Sequence, residues 1–262
     1  MSIIQRFARL NLLPVWKRRI RVWGFALRAP SLDRLAALYL HRAGWMGKAE
    51  EQLFEHFIKP GMTVVDVGAN QGLYTLLFSR LVGPGGTVIA FEPETDMYRA
   101  LAENVRHNGT AHVELYQVAL GSQSGPAMLS RSLIHGGDHR LAPGHHQSVS
   151  QKELVTVRTL DEVLGERRVD FVKMDVQGWE AEVWRGMDHL LMRQSHLTVY
   201  FEFWPRGLRQ AGDEPAELLR RLVQQGFQVF EHSRGKLQPV HEFAPLIDRL
   251  SGHRFTNLLA QR

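Results

Sequence analysis

The chain has 262 residues, 44% of them hydrophobic and 23% charged, which suits one large α/β domain with extensions. It contains no cysteine, which excludes a disulfide framework, a thiolate metal site and a thiol nucleophile, and fits a reducing cytoplasm. The net charge of +5 is terminal: Arg6, Arg9, Lys17, Arg18, Arg19, Arg21 and Arg28 all precede the first acid, Asp33, so the remainder is net acidic and is not a nucleic-acid surface.

The N-terminal stretch lacks the unbroken apolar core and small-residue cleavage site of a signal peptide. Trp16, Ile20, Trp23 and Leu27 recur at helical spacing beside a basic face, which predicts a basic amphipathic helical extension over residues 1–45. Its apolar face suits packing on the domain or on a second subunit of a homodimer. Residues 1–28 would equally suit an anionic membrane surface, a peripheral contact for an otherwise cytoplasmic protein.

Helices are expected at 32–43 and 49–58, after which Pro60 and Gly61 break the chain. TVVDV (63–67) is short, β-branched and bounded by turn residues, as a buried parallel strand should be, and a helix over 74–81 follows. TVIAF (87–91), a helix at 95–108 and VELYQVAL (113–120) repeat that rhythm. It is interrupted at 121–151 by a polar, glycine-rich insertion read as a lid, and resumes with VTVRTLDEVL (155–164), DFVKMD (170–175), a helix at 180–192 and LTVYFEF (197–203). A helix at 215–225, the strand FQVF (227–230) and a sheet edge complete residues 46–262. Alternation at this interval means right-handed βαβ units and a doubly wound, mostly parallel, Rossmann-like sheet.

Ligands of such sheets sit beyond the carboxyl ends of the strands. There the sequence places Asp66 followed by GANQG, with Gly68, Ala69, Asn70 and Gly72, and 26 residues later Glu92 with Pro93. A strand-terminal carboxylate accepts from the two hydroxyls of an unphosphorylated ribose. That alone suits a nicotinamide cofactor or S-adenosylmethionine. Asn70, however, stands where a pyrophosphate needs a bare glycine, whereas Asp66 can hold an ammonium group or order the loop while loop amides reach a carboxylate. These features favour S-adenosylmethionine over a nicotinamide oxidoreductase.

VVDVGANQGLYT, VIAFEPE, NVRHNG, VALG, TLDEVL and FVKMDVQGWEAEVWRGM, in that order and spacing, closely resemble the FkbM family of S-adenosylmethionine-dependent class I methyltransferases. The resemblance runs from about Gly44 to Phe203 and includes the aromatic Trp45. It implies a methyltransferase domain over 46–262 that O-methylates a hydroxyl of a sugar, glycan or other natural product. It further implies that Asp66, Gly68, Ala69, Asn70, Gly72, Tyr74 and Thr75 form the methionine-side loop, that Glu92 and Pro93 meet the ribose, and that Gln117, Val118 and Ala119 lie along the adenine. Asp175 falls on the family's acidic position and Gln177 replaces its usual glutamate. Asp175 is the first choice for a general base and Glu202, which ends the next strand, the second. Gln177, Trp179, His135 and His139 are expected at the acceptor. No metal is expected, because HGGDH and the pair His145–His146 lack a frame to fix ligand geometry. A non-catalytic membrane-surface scaffold on the same fold is the alternative from another functional class.

Overall fold

The computed structural model describes residues 19–30, 32–44, 47–132 and 150–262. Its first element corrects the sequence expectation. Arg19–Val22 (β1) and Phe25–Arg28 (β2) form an antiparallel hairpin, not a helix. Trp23 and Gly24 turn it with φ of 50° and 88°, the two positive values that a tight two-residue hairpin turn requires. Alternation places Ile20, Val22 and Leu27 on one buried face, against Leu101 and Val105. Trp16, the histidines His135, His139, His145 and His146, and Trp45 lie outside the described residues. The hairpin spends its apolar face on the domain.

Leu32–Arg42 (α1) and Lys48–Phe57 (α2) precede the alternating core. Thr63–Val67 (β3), Leu73–Val82 (α3), Thr87–Phe91 (β4), Thr95–His107 (α4) and Val113–Tyr116 (β5) follow as expected. The long strand expected at 113–120 is two. After Tyr116, whose carbonyl accepts from Glu92 N–H, the chain leaves the sheet, and Ala119–Leu120 (β6) joins a different one. The insertion is likewise partly strand: Gly125–Ser132 (β7) pairs antiparallel with Ser150–Arg158 (β8), and β6 flanks β8.

Leu160–Leu164 (α5) and Phe171–Met174 (β9) lead to a helix that breaks into Glu180–Arg185 (α6) and Asp188–Arg193 (α7). Gly186 sits at the break because a Cβ there would lie 2.1 Å from the Gly121 carbonyl oxygen. Thr198–Phe203 (β10), Pro205–Ala211 (α8), Pro215–Gln224 (α9), Gln228–Ser233 (β11), Lys236–Pro239 (β12), Phe243–Arg249 (α10) and Thr256–Gln261 (β13) complete the described chain.

The main sheet runs β12-β11-β13-β10-β9-β3-β4-β5. Strands β5, β4, β3, β9 and β10 are mutually parallel, and β13 enters antiparallel between β10 and β11. Both faces are covered. Val65, Val67, Val172 and Met174 pack with Trp184, Leu190 and Leu222, whereas Val64 and Phe171 pack with Phe54, Leu77 and Phe78. Strand order reverses between β3 and β9, so the crevice of the fold opens where these two strands end, at Gly68 and Asp175.

Candidate active site

The reversal brings Gly68 and Asp175 into contact. A Cβ on Gly68, whose φ is 77°, would lie 2.1 Å from the Asp175 carbonyl oxygen, so only glycine allows the two strand ends to close. On either side of this contact lies a cavity. One, of about 610 Å³ including its open mouth, is lined by Gly68, Asn70, Glu92, Pro93, Val118, Ala119, Trp179 and the apolar Phe91, Met97 and Leu129. The other, of about 1080 Å³, is lined by Glu50, Tyr74, Lys173, Glu202, Phe255 and Asn257 among others. Gly68, Asn70, Asp175 and Gln177 line both cavities.

Glu92 is almost buried beside the first cavity. Its Oε2 accepts from Asn70 N–H at 2.8 Å and its Oε1 from Glu94 N–H at 2.9 Å. These two bonds orient a carboxylate that can accept from hydroxyl groups. Asn70 adopts φ 54°, a left-handed conformation that asparagine tolerates, and its Oδ1 accepts from Gln71 N–H at 2.8 Å.

The loop departs from expectation in one respect. Gly68 and Ala69 donate their amides to the Phe91 carbonyl, Asn70 donates to Glu92, Gln71 to Asn70, and Gly72 to Ala69. Each amide of GANQG therefore serves the protein. The loop offers a ligand its shape and carbonyl oxygens, and the expected amide contacts to a ligand carboxylate are spent internally.

Asp66 is fully buried and faces neither cavity. Its Oδ2 accepts from the Thr75 hydroxyl at 2.6 Å, which ties the end of β3 to the first turn of α3. Of the two roles the sequence left open for it, the structure supports ordering the loop. Thr75 is its partner, Gly72 packs against Leu101 at the start of α3, and Gln117 turns outward to donate to the Thr95 hydroxyl. None of these three reaches the first cavity, and Tyr74 lines the second instead.

Lys173 is the residue that sequence reading passed over. It sits on β9 with its side chain 6% exposed, its ammonium 3.7 Å from both Asp66 and Asp175 and 5.1 Å above the Tyr74 ring. Burial works to lower its pKa, but Asp175, Asp66 and Glu202 outweigh that and raise it, so the ammonium stays charged. Burial raises the pKa of Asp66, against the pull of Lys173 and Thr75. A lysine in a strand covered on both faces was the available signal, since nothing but a buried partner accounts for it.

Gln177 joins the remaining acids. Its Nε2 donates to Asp175 Oδ1 at 2.9 Å and to Glu202 Oε2 at 3.2 Å, from a backbone held at φ 56°. Asp175, Gln177 and Glu202 thus converge. Trp179 faces the first cavity, not the second, and its buried indole N–H finds no acceptor among the described residues.

Comparison with known proteins gives this arrangement its context. Residues 66–229 match the model of the methyltransferase FkbM domain. The chain belongs to the FkbM methyltransferase family. It is 39% identical over 105 residues to the 31-O-demethyl-FK506 methyltransferase FkbM of Streptomyces tacrolimicus, covering 39% of this chain and 37% of that one. It is 34% identical over 163 residues to the hexuronic acid methyltransferase AglP of Haloferax volcanii, covering 60% and 59%. Methyltransferase 1 of Beauveria bassiana is 29% identical over 148 residues, covering 48% and 58%. The chain thus spans little more than half the length of this last relative. A solved rRNA-methylase-like protein of Clostridium thermocellum superposes with a TM-score of 0.50 at 12% identity, covering 81% of this chain and 94% of that one, a likeness of fold. The fold is that of the class I methyltransferases, whose cofactor is S-adenosylmethionine.

The residues present fit that cofactor. The first cavity joins an apolar strip, an oriented buried carboxylate and the indole N–H of Trp179, which has no acceptor among the described residues, a set that suits an aromatic base bearing a ribose diol. Among the described residues it holds no lysine or arginine with which to meet a diphosphate.

Proposed function

We propose that the protein is an S-adenosylmethionine-dependent O-methyltransferase acting on a hydroxyl of a sugar, glycan or other natural product. The observation that carries this reading is the pair of cavities sharing Gly68, Asn70, Asp175 and Gln177: a donor and an acceptor bound on either side would meet at those residues. Two relatives bear names that point to hydroxyl or sugar chemistry, the 31-O-demethyl-FK506 and hexuronic acid methyltransferases.

Bound S-adenosylmethionine supplies a methyl group already activated on a sulfonium. The chain's own work is then to position the acceptor hydroxyl and take its proton. Glu92 would accept from the ribose hydroxyls, Val118, Ala119 and Met97 would cover the base, and Gly68 lets the ends of β3 and β9 close between the two cavities. Asp175 would take the proton of the acceptor hydroxyl as that oxygen becomes nucleophilic. Lys173 and Gln177 fix both oxygens of that carboxylate, so its geometry does not have to be found during the reaction. Glu202, bonded to the same amide, orients the acceptor.

Calorimetry with S-adenosylhomocysteine tests the donor half. Glu92→Ala should weaken binding by roughly 100-fold, the worth of two charge-assisted hydrogen bonds, with thermal unfolding confirming that the variant is folded. Equal affinity in the parent and a folded Glu92→Ala would end the assignment of this cavity. For the acceptor half, Asp175→Asn should lower kcat by about 10²- to 10⁴-fold while leaving S-adenosylhomocysteine affinity within a few-fold of the parent, as loss of a general base does.

A further inference from the structure

The small sheet of β6, β8 and β7 stands against the first cavity. Its strands alternate in facing, as a pleat requires: Ala127, Leu129, Glu153, Val155 and Val157 share the inner face, while Met128 and Leu154, paired across β7 and β8, are exposed. Leu129 is buried, belongs to one apolar cluster with Ala119 of β6, and lines the cavity with it. Directly opposite Leu129 in the register is Glu153, whose Oε1 accepts from Thr95 N–H at 3.2 Å and from the Thr95 hydroxyl. Gln117 Nε2 donates to the same hydroxyl at 3.0 Å, so β8, the start of α4 and the link from β5 to β6 are joined at one side chain. Thr95 opens α4, whose Met97 also lines the cavity, and it follows Glu94, whose amide holds Glu92. A carboxylate at the first turn of a 13-residue helix is favourably placed.

We propose that this sheet forms the wall over the donor's base. Leu129 closes the first cavity there and sets the size of base it admits, and Glu153 is the positioning residue that, through Thr95, holds the wall against α4 and the strand end of Glu92. This deepens the preceding reading and rests on the first cavity being the donor site. The three strands lie outside the eight-stranded sheet. The insertion expected from the sequence as a lid thus contributes, through β7, to the donor side. An apolar wall discriminates by size, since an enlarged base would have to displace a packed leucine.

Calorimetry on the full chain with S-adenosylhomocysteine and two analogues enlarged on the base, one at N6 and one at C8, tests this. The parent should prefer S-adenosylhomocysteine over at least one analogue by roughly tenfold or more, and Leu129→Ala should bind S-adenosylhomocysteine several-fold more weakly while losing most of that preference. Leu129→Val, which suits the strand, should move both quantities the same way by less. Glu153→Ala should weaken binding and relax the preference, and Glu153→Gln, whose amide oxygen still accepts from Thr95, should restore both. In a Leu129→Ala background the loss from Glu153→Ala should shrink, because the side chain it positions is gone. A parent indifferent to base size, or folded Leu129 variants with the parent's affinity and preference, overturns the inference, and additive losses at the two sites overturn the role of Glu153. If S-adenosylhomocysteine does not bind the parent, or binds a folded Glu92→Ala equally well, the donor-site reading has failed instead, so the two failures are told apart.

Discussion

Gln177 is where this chain's site is most individual. Its amide bridges Asp175 and Glu202, giving each carboxylate a hydrogen bond while keeping a third negative charge out of the cluster. A glutamate there would place a carboxyl within hydrogen-bonding reach of two others, and like charges that close cannot all ionise at their ordinary pKa values. Gln177→Glu should therefore move the acidic limb of the pH profile of kcat/KM to higher pH, whereas Gln177→Ala should lower kcat without that displacement. A profile that stays in place in Gln177→Glu would show that the amide does not govern the protonation of these acids. The sequence made Asp175, Gln177 and Glu202 legible because strand ends announce themselves in a parallel sheet. It did not separate Asp66 from the ligand, because a strand residue's facing depends on which helix covers it, and here Thr75 on α3 claims its carboxylate.

At the scale of elements, the loop between β9 and α6 depends on one buried acid. Glu180 Oε1 accepts from Val176 N–H at 3.1 Å and Gly178 N–H at 3.3 Å, bracing the turn that carries Gln177. Burial pushes its pKa up from the ordinary carboxylate range to about 7, against the pull of its backbone hydrogen bonds. Its folded pKa exceeds its unfolded one, so the folded state binds the extra proton between about pH 4.5 and 7. Stability from this group is full below that window and is lost as pH rises through it. Glu180→Gln should remove this loss, so the stability of the variant relative to the parent should rise from pH 5 to pH 8 by about 2–4 kcal/mol in urea titrations, as a shift of this size implies. A difference independent of pH would mean that Glu180 titrates normally. Legibility at this scale followed burial. The parallel strands, apolar on both faces, stood out at their true positions, whereas the break between β5 and β6, the seven-residue α8 and the antiparallel strands β7 and β13 have patterns set by pairing partners far along the chain.

Across the whole molecule, the N-terminal hairpin is tied to the site through α4. Arg19 and Arg28 both reach Glu103 at 2.8 Å, which spends on the domain some of the basic charge that the sequence offered to a membrane. Asn104 is fully buried: its Oδ1 accepts from Arg28 N–H at 2.8 Å, and its Nδ2 donates to the carbonyls of Arg28 at 3.0 Å and Gln71 at 2.8 Å. One side chain thus holds the hairpin and the GANQG loop together. Asn104→Leu leaves those backbone groups unmet and should cost about 2–4 kcal/mol in denaturant unfolding, with a matching loss of S-adenosylhomocysteine affinity. Stability lost without any change in affinity would show that the hairpin is a brace only. The hairpin itself was hidden because Ile20 and Leu27, seven apart, fit a helical face as readily as the paired strands in which they face one another.

Two cavities meet at the ends of β3 and β9. A crystal structure with S-adenosylhomocysteine tests that claim most directly. The ribose should lie on Glu92, the base against Val118 and Ala119, and the sulfur beside Gly68 and Asp175, directed into the cavity of Glu50 and Glu202. A ligand seated in that second cavity, or one whose ribose leaves Glu92 untouched, would contradict it.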